Sequence, residues 1–243
     1  MKILVSGHKG VLAKALAKAS HHELFGKLEV ICVSKNELDI TLPGLIEKAI
    51  NKYKPDVFLH VGAIAGSMKQ HEESPLKSIE VNIIGTANVA NVCGRRGVKV
   101  VYISTDYVYC GIKGNNTEES PTKPFNNYGL SKLGGECAVR MLKDSLILRC
   151  SFTERPFKHD KAFYDSQRSY LYDDMAATSI LKCIEAGVTG IVNVGGLSQS
   201  VYSFAQSGNP KLASTTRLSV NEFVPLDTSM CVRKLQLIIK PID

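Results

Sequence analysis

The sequence predicts an α/β protein, a doubly wound parallel sheet with a small C-terminal substrate lobe, and three observations predict it. Short apolar, β-branched runs alternate with helical patterns along most of the chain, the order that βαβ units require. The first run, Lys2–Ser6, passes through Gly7 and Gly10 into a helix, as in the opening half of a Rossmann-type dinucleotide unit. The run Val100–Ile103 ends in Ser104, Thr105 and Asp106, polar groups at the strand end where open α/β sheets build their sites.

Taken in order, Lys2–Ser6 is a buried strand and Gly7-His-Lys-Gly10-Val-Leu-Ala13 the turn that follows. Gly7 permits the tight turn, Gly10 lets backbone approach a pyrophosphate, and Ala13 allows close helix–strand packing. A helix runs through Leu12, Ala15, Leu16 and Ala19 and ends near Ser20, and its first amides face the phosphates. Leu28–Val33 is the second strand; Ser34-Lys35-Asn36 follows it where a carboxylate would select NAD, so the cation favours a 2′-phosphate. Asp39 and Ile40 lie on the next loop, where an adenine ring has room. Leu42–Tyr53 is helical, and Pro55–Val61 is the third strand, running into the small residues Gly62, Ala63, Ile64, Ala65 and Gly66 that let a flat cofactor cross the sheet edge. His60 reads equally as a hydrogen-bonded core histidine or as a functional one, and His71-Glu72-Glu73 as a solvated loop without the second histidine of a metal helix. Ser78–Val92 reads as one long helix containing Asn82, Val98–Ile103 as the fourth strand and Ser145–Arg149 as the fifth. Residues 151–172 are polar and irregular, with Arg155, Lys158, Lys161 and Arg168 among Phe157, Phe163, Tyr164 and Tyr170, a mixture suited to a nucleotide diphosphate and its base and equally to a solvated flap. A helix over Asp174–Glu185, a sixth strand over Gly190–Val194 and a loop leading into a short helix over 225–236 complete the pattern.

Composition narrows the class. A chain of 243 residues is one domain, or one domain with a small appendage, and can bury a core without staples. The seven cysteines are odd in number, scattered and free of Cys-x-x-Cys spacing, which points to reduced thiols, most of them core hydrophobes, rather than disulfides or zinc. The net charge of +7 suits an anionic small molecule; the basic residues are dispersed, so nucleic acid is not an expected partner. Met1–Val5 enters a strand directly and no apolar run approaches the length of a membrane span, so a cytoplasmic protein is expected.

The stretch that carries chemistry is Tyr128-Gly-Leu-Ser-Lys132. Residues four apart on a helix share a face, so the Lys132 ammonium lies near the Tyr128 phenol and is expected to favour its ionised form. Such a pair exchanges a proton with a carbonyl or alcohol, and Thr105 offers a hydroxyl to the same oxygen.

The turn Gly7-x-x-Gly10, the blocks PDVFLHVGA, VNIIGTANVA, STDYVY and YGLSKLGGE, and the later RSYLYDDMA and PLDTSMCVRKLQ resemble, in that order, the extended short-chain dehydrogenase/reductases, and most of all the dTDP-4-dehydrorhamnose reductase family. The resemblance implies that Thr105, Tyr128 and Lys132 are the catalytic set, that Asp106 and Tyr107 touch a sugar, and that Gly7, Gly10, Val11, Leu12, Asp39, Ile40, Gly62 and Ala63 line the cofactor. Ser34, Lys35 and Ile64 join the cofactor set and Arg168 the substrate set. Sugar-nucleotide dehydratases of the superfamily carry an acid directly after Thr-Asp; Tyr107 stands there, which favours plain ketone reduction. His60-Val-Gly replaces the family's Asn-Ala-Ala, and Cys110 stands where an Asp is frequent.

The expected activity is reduction of the 4-keto group of a nucleotide-linked 4-keto-6-deoxy sugar by NADPH, with NADH as the second option, giving dTDP- or UDP-L-rhamnose. Added 3,5-epimerisation stays open. The alternatives are a non-catalytic NADP-binding regulatory subunit and an epimerase or dehydratase of the same fold. Residues 1–150, with the returning strand 190–194, are expected to hold the dinucleotide, and 151–243 mainly the nucleotide-diphosphate sugar. A homodimer is left open.

Overall fold

The computed structural model describes residues 1–65, 67–221 and 223–239, and Gly66 of the expected cofactor crossing lies outside the described residues. In chain order the first half comprises β1 (Lys2–Ser6), α1 (Val11–Ser20), β2 (Glu29–Cys32), α2 (Pro43–Tyr53), β3 (Val57–His60), α3 (Met68–Glu73), α4 (Pro75–Ser78), a π-helical turn (Ile79–Ile84), α5 (Gly85–Arg96) and β4 (Lys99–Thr105). The second half comprises α6 (Asn127–Arg140), β5 (Leu146–Cys150), β6 (Phe152–Thr153), β7 (Lys161–Phe163), β8 (Gln167–Arg168), β9 (Leu171–Tyr172), α7 (Asp173–Glu185), β10 (Gly190–Val194), β11 (Gln199–Ser200), α8 (Val201–Gln206), β12 (Ala213–Thr215) and α9 (Arg233–Ile239).

Six strands form one parallel sheet in the order β10-β5-β4-β3-β1-β2. The strand order reverses between β1 and β3, and the crevice at such a switch point is where open α/β sheets bind ligands. Alternation along each strand explains the two layers. Ile3 and Val5, with Val101 and Ile103, pack on the face of α1 and α7; Leu4, with Val100 and Tyr102, packs on the face of α2 and α5. Strands buried on both faces read as continuous apolar runs, which is why they stand out along the chain.

Turn chemistry sets the helix ends. Pro43 opens α2, α5 stops at left-handed Gly97 (φ 65°), and the Asn126 side chain caps α6 by accepting the Gly129 amide at 2.8 Å.

The expected single helix over 78–92 is three pieces. The π turn widens the helix where Asn82, 1% exposed, must reach the Ile64 backbone. Residues 151–172, expected to be irregular, contain the four short strands β6 to β9, paired with one another or with β11 and β12. The expected solvated loop at His71 is helix α3 with His71 fully buried. Cys93, Cys150 and Cys183 are buried, but Cys32, Cys110 and Cys231 are half-buried and Cys137 is exposed, so core packing accounts for three of the seven thiols. Among the described residues no helix is long and apolar enough to cross a membrane.

Candidate active site

A cleft of about 890 Å³ opens at the C-terminal ends of β1, β3, β4 and β5. Its floor is glycine. Gly7 has φ +85°, and a Cβ there would stand 2.9 Å from the Gly62 Cα, so the two loops touch backbone to backbone. Gly10 is the N-cap of α1 with no side chain bonded to the helix end, so the first amides remain open to an anionic group. This cradle fits a dinucleotide pyrophosphate. Lys9 and Lys35 line the same end of the cleft.

Gly7, Gly10, Val11, Leu12, Ser34, Lys35, Gly62 and Ala63 line the cleft as the sequence predicts. Asp39, Ile40 and Ile64 do not. Ile40 packs its side chain over Gly85, 2.9 Å from where a Cβ would stand, and Asp39 accepts the Thr41 amide and hydroxyl while pairing with Lys35 at 3.5 Å. Ile64 turns its backbone to Asn82, its amide donating to Oδ1 at 2.8 Å and its carbonyl accepting from Nδ2 at 3.1 Å. The expected adenine loop at 39–40 is therefore a packed and bonded corner.

Thr105, Asp106, Tyr107, Tyr128, Lys132 and Arg168 come together at the other end. Thr105 ends β4, Tyr128 lies in the first turn of α6, and Lys132 follows one turn later. Helix α6 is braced by α3: the Asn127 amide and side chain both donate to Glu72, at 2.9 and 2.7 Å, and the His71 ring stands 5.0 Å from the Tyr128 ring. An acid at a helix N-terminus also favours the helix dipole. Behind Lys132, Glu136 and Arg149 form a buried pair at 2.8 Å, and the Ser104 hydroxyl donates to Glu136 at 2.5 Å.

The Asp106 carboxylate is saturated. It accepts from Arg168 Nη1 at 2.8 Å, Thr228 Oγ1 at 2.6 Å, Ser151 Oγ at 3.2 Å and Thr105 Oγ1 at 3.2 Å. Arg168 also donates to the Tyr107 hydroxyl and lies over the Tyr107 ring, 4.3 Å from its centroid. Of the cation–aromatic mixture at 151–172, Arg168 and Tyr170 reach the cleft with Phe152; Arg155 instead stacks on Tyr172 and pairs with Asp174, and Lys158 pairs with Glu154.

The electrostatics differ from the simple expectation. Burial pushes the Lys132 ammonium down to about 7, with Glu136 opposing. Burial, and then the Asp106 carboxylate, push the Tyr128 phenol above its ordinary range, with the Thr105 hydroxyl opposing. Desolvation and the Asp106 carboxylate outweigh the Thr105 hydroxyl, so Tyr128 holds its proton. Sequence reasoning also missed Met68, Cys150 and Ser151 as lining residues. Cys150 and Ser151 stand at and just after the end of β5, so the strand-end rule would have found them; Met68 gave no signal.

A dinucleotide cradle at a switch point, with Thr105, Tyr128 and Lys132 converging beside it, is the arrangement of the extended short-chain dehydrogenase/reductase fold. The chain belongs to the RmlD substrate binding domain family, which it matches over residues 1–156. A dTDP-4-dehydrorhamnose reductase of Aggregatibacter actinomycetemcomitans is 32% identical over 154 residues, 63% of this chain and 51% of that one. The chain thus spans about half the length of the curated relatives it matches. The crystal structure of a dTDP-4-dehydrorhamnose reductase from Clostridium acetobutylicum superposes with a TM-score of 0.87 at 26% identity, covering 100% of this chain and 94% of that one. One from Bacillus anthracis, solved in complex with NADP, gives a TM-score of 0.85 at 24% identity over 97% and 92% of the two chains, a likeness of fold.

Proposed function

We propose that the protein reduces the 4-keto group of a nucleotide-linked 4-keto-6-deoxy sugar, with NADPH as the reductant. The observation that carries the reading is the convergence of Thr105, Tyr128 and Lys132 in one cleft with the Gly7–Gly10 cradle. The relatives named above support the same substrate class.

When bound, the reduced nicotinamide supplies the hydride. Tyr128, kept protonated by its surroundings, is the general acid that gives its phenolic proton to the carbonyl oxygen as charge develops there. Thr105 orients that oxygen, and Lys132 holds the nicotinamide ribose while its charge favours the tyrosinate left behind. Gly7, Gly10 and the first amides of α1 hold the pyrophosphate, and Lys35, with Lys9 beside it, favours a 2′-phosphate. Asp106, Tyr107 and Arg168 form the sugar-facing wall. The division of labour places the dinucleotide on residues 1–150 with strand 190–194, and the sugar nucleotide mainly on 151–243. Support comes from β8, β11 and the 225–230 segment, which meet around Arg168, whereas α7 and β10 complete the sheet layers.

The test is loss of reduced-nicotinamide absorbance with NADPH or NADH and dTDP- or UDP-linked 4-keto-6-deoxy sugar. Consumption that requires the sugar, and that falls at least about 100-fold in Tyr128→Phe, is the expected result. Full turnover by the Phe variant would sink the assignment.

A further inference from the structure

His60 ends β3 and is 1% exposed. Each of its ring nitrogens is 3.0 Å from a hydroxyl, Nδ1 from Ser6 Oγ at the end of β1 and Nε2 from Thr86 Oγ1 in the first turn of α5. The other bonds of these hydroxyls settle where the protons lie. Thr86 Oγ1 gives its single proton to the Asn82 carbonyl at 2.7 Å, so it must accept from His60, and the ring proton is on Nε2. Nδ1 is then the acceptor and receives the Ser6 hydroxyl proton, while Ser6 Oγ accepts the Gly62 amide at 3.0 Å. The result is one directed chain from Gly62 N–H through Ser6, His60 and Thr86 to the Asn82 carbonyl, with every link satisfied.

Both ends of that chain reach the site. Ser6 precedes Gly7, whose backbone abuts Gly62. At the far end the Asn82 side chain bonds both polar groups of the Ile64 backbone and donates to Ser131 Oγ at 2.9 Å, and Ser131 donates to the Tyr128 carbonyl at 2.8 Å. We propose that His60 is a positioning residue, the internal tie that holds the Gly62–Ala63 loop against the Gly7 turn and in register with the helix of Tyr128 and Lys132. The proposal rests on the reading of the cleft as a dinucleotide-binding reductase site.

Replacing His60 by Phe keeps a ring and removes both links; Gln offers one acceptor and one donor and should restore them in part; Thr86→Val cuts one link with little loss of volume. In cofactor-free protein, amide exchange at Gly62 and Ile64 is expected to quicken about 10-fold in His60→Phe and Thr86→Val and to slow again in His60→Gln. NADPH dissociation constants, read by cofactor fluorescence, should rise about 10-fold in the first two, with KM for NADPH raised far more than kcat is lowered. If His60→Phe does not fold, Thr86→Val decides alone. Unchanged exchange and unchanged affinity in Thr86→Val overturn the proposal. A wild-type protein that binds no NADPH overturns the reading of the cleft instead, and the exchange rates then still decide whether the tie exists.

Discussion

The Lys132 ammonium stands over the face of Tyr102, 4.2 Å from the ring centre, on a side chain that is 3% exposed. The ring face is a weak substitute for water, and burial brings the group down to about 7 from an unfolded value near 10.5. A group whose folded value lies below its unfolded one costs stability most fully at pH below the folded value, and the cost fades as pH rises toward the unfolded value. Lys132→Met is therefore expected to raise the melting temperature at pH 6 by several degrees, to lose that advantage by about pH 10, and to abolish turnover. Thermal melts at the two pH values check it; an equal gain at both would show that packing rather than charge is responsible.

Two buried imidazoles set the acid limb. Burial pushes His60 down to about 3 and His71 below its ordinary value, the Lys132 charge adding to the first and Glu72 opposing the second. Below pH ~6.5 the unfolded chain takes up protons that the folded one refuses, so stability is whole above that pH and falls beneath it. For His60 the expected slope is up to about 1.4 kcal/mol per pH unit, and His71 adds to it in the same direction. Urea midpoints at pH 7.5, 6 and 5 measure it, and His60→Gln should remove one share.

Arg168 and Asp106 are both nearly fully buried and paired at 2.8 Å. Arg168→Met leaves a carboxylate without its cation and is expected to cost about 3–5 kcal/mol in denaturant unfolding. Asp106→Asn combined with Arg168→Met should recover most of that, because no uncompensated charge is left. An additive double variant would contradict the pairing.

Two glycines should respond in opposite directions. A Cβ on Gly135 would overlap the Tyr102 hydroxyl, which itself donates to the Lys132 carbonyl at 3.2 Å, so Gly135→Ala is expected to cost about 1–3 kcal/mol and to lower turnover. A Cβ on Gly44, near the start of α2, would meet nothing within 4 Å, and Gly44→Ala should gain about 0.5–1 kcal/mol with turnover unchanged. Chemical unfolding of the pair side by side is the measurement.

The sheet is legible in the sequence because inner strands such as β1 and β4 are buried on both sides and apolar through most of their length, and the proposed catalytic pair because Tyr128 and Lys132 are four apart on one helix. What stays hidden is non-local. Nothing in the segment around His71 announces that its imidazole will lie against Tyr128, and Arg168 meets Asp106 across 62 residues of chain. Asp39, Ile40 and Ile64 look like cofactor positions in the sequence, which shows no sign of the packing and bonds that hold them to Gly85, Thr41 and Asn82. The widened turn at 79–84 is equally invisible, since its residues satisfy an ordinary helical pattern.

That turn amounts to a helix carrying one residue more than its pitch can absorb. Removing a single residue between Ile79 and Ile84 would let the segment close into regular α-helix with its two flanks kept in phase, and only the residues inside the turn would change direction. Asn82 would then swing off the Ile64 backbone and away from Ser131, while α5 kept its own packing. A one-residue deletion here would thus leave the fold assembled and unfasten a single joint, the one by which Asn82 links the Ile64 backbone to the helix of Tyr128 and Lys132.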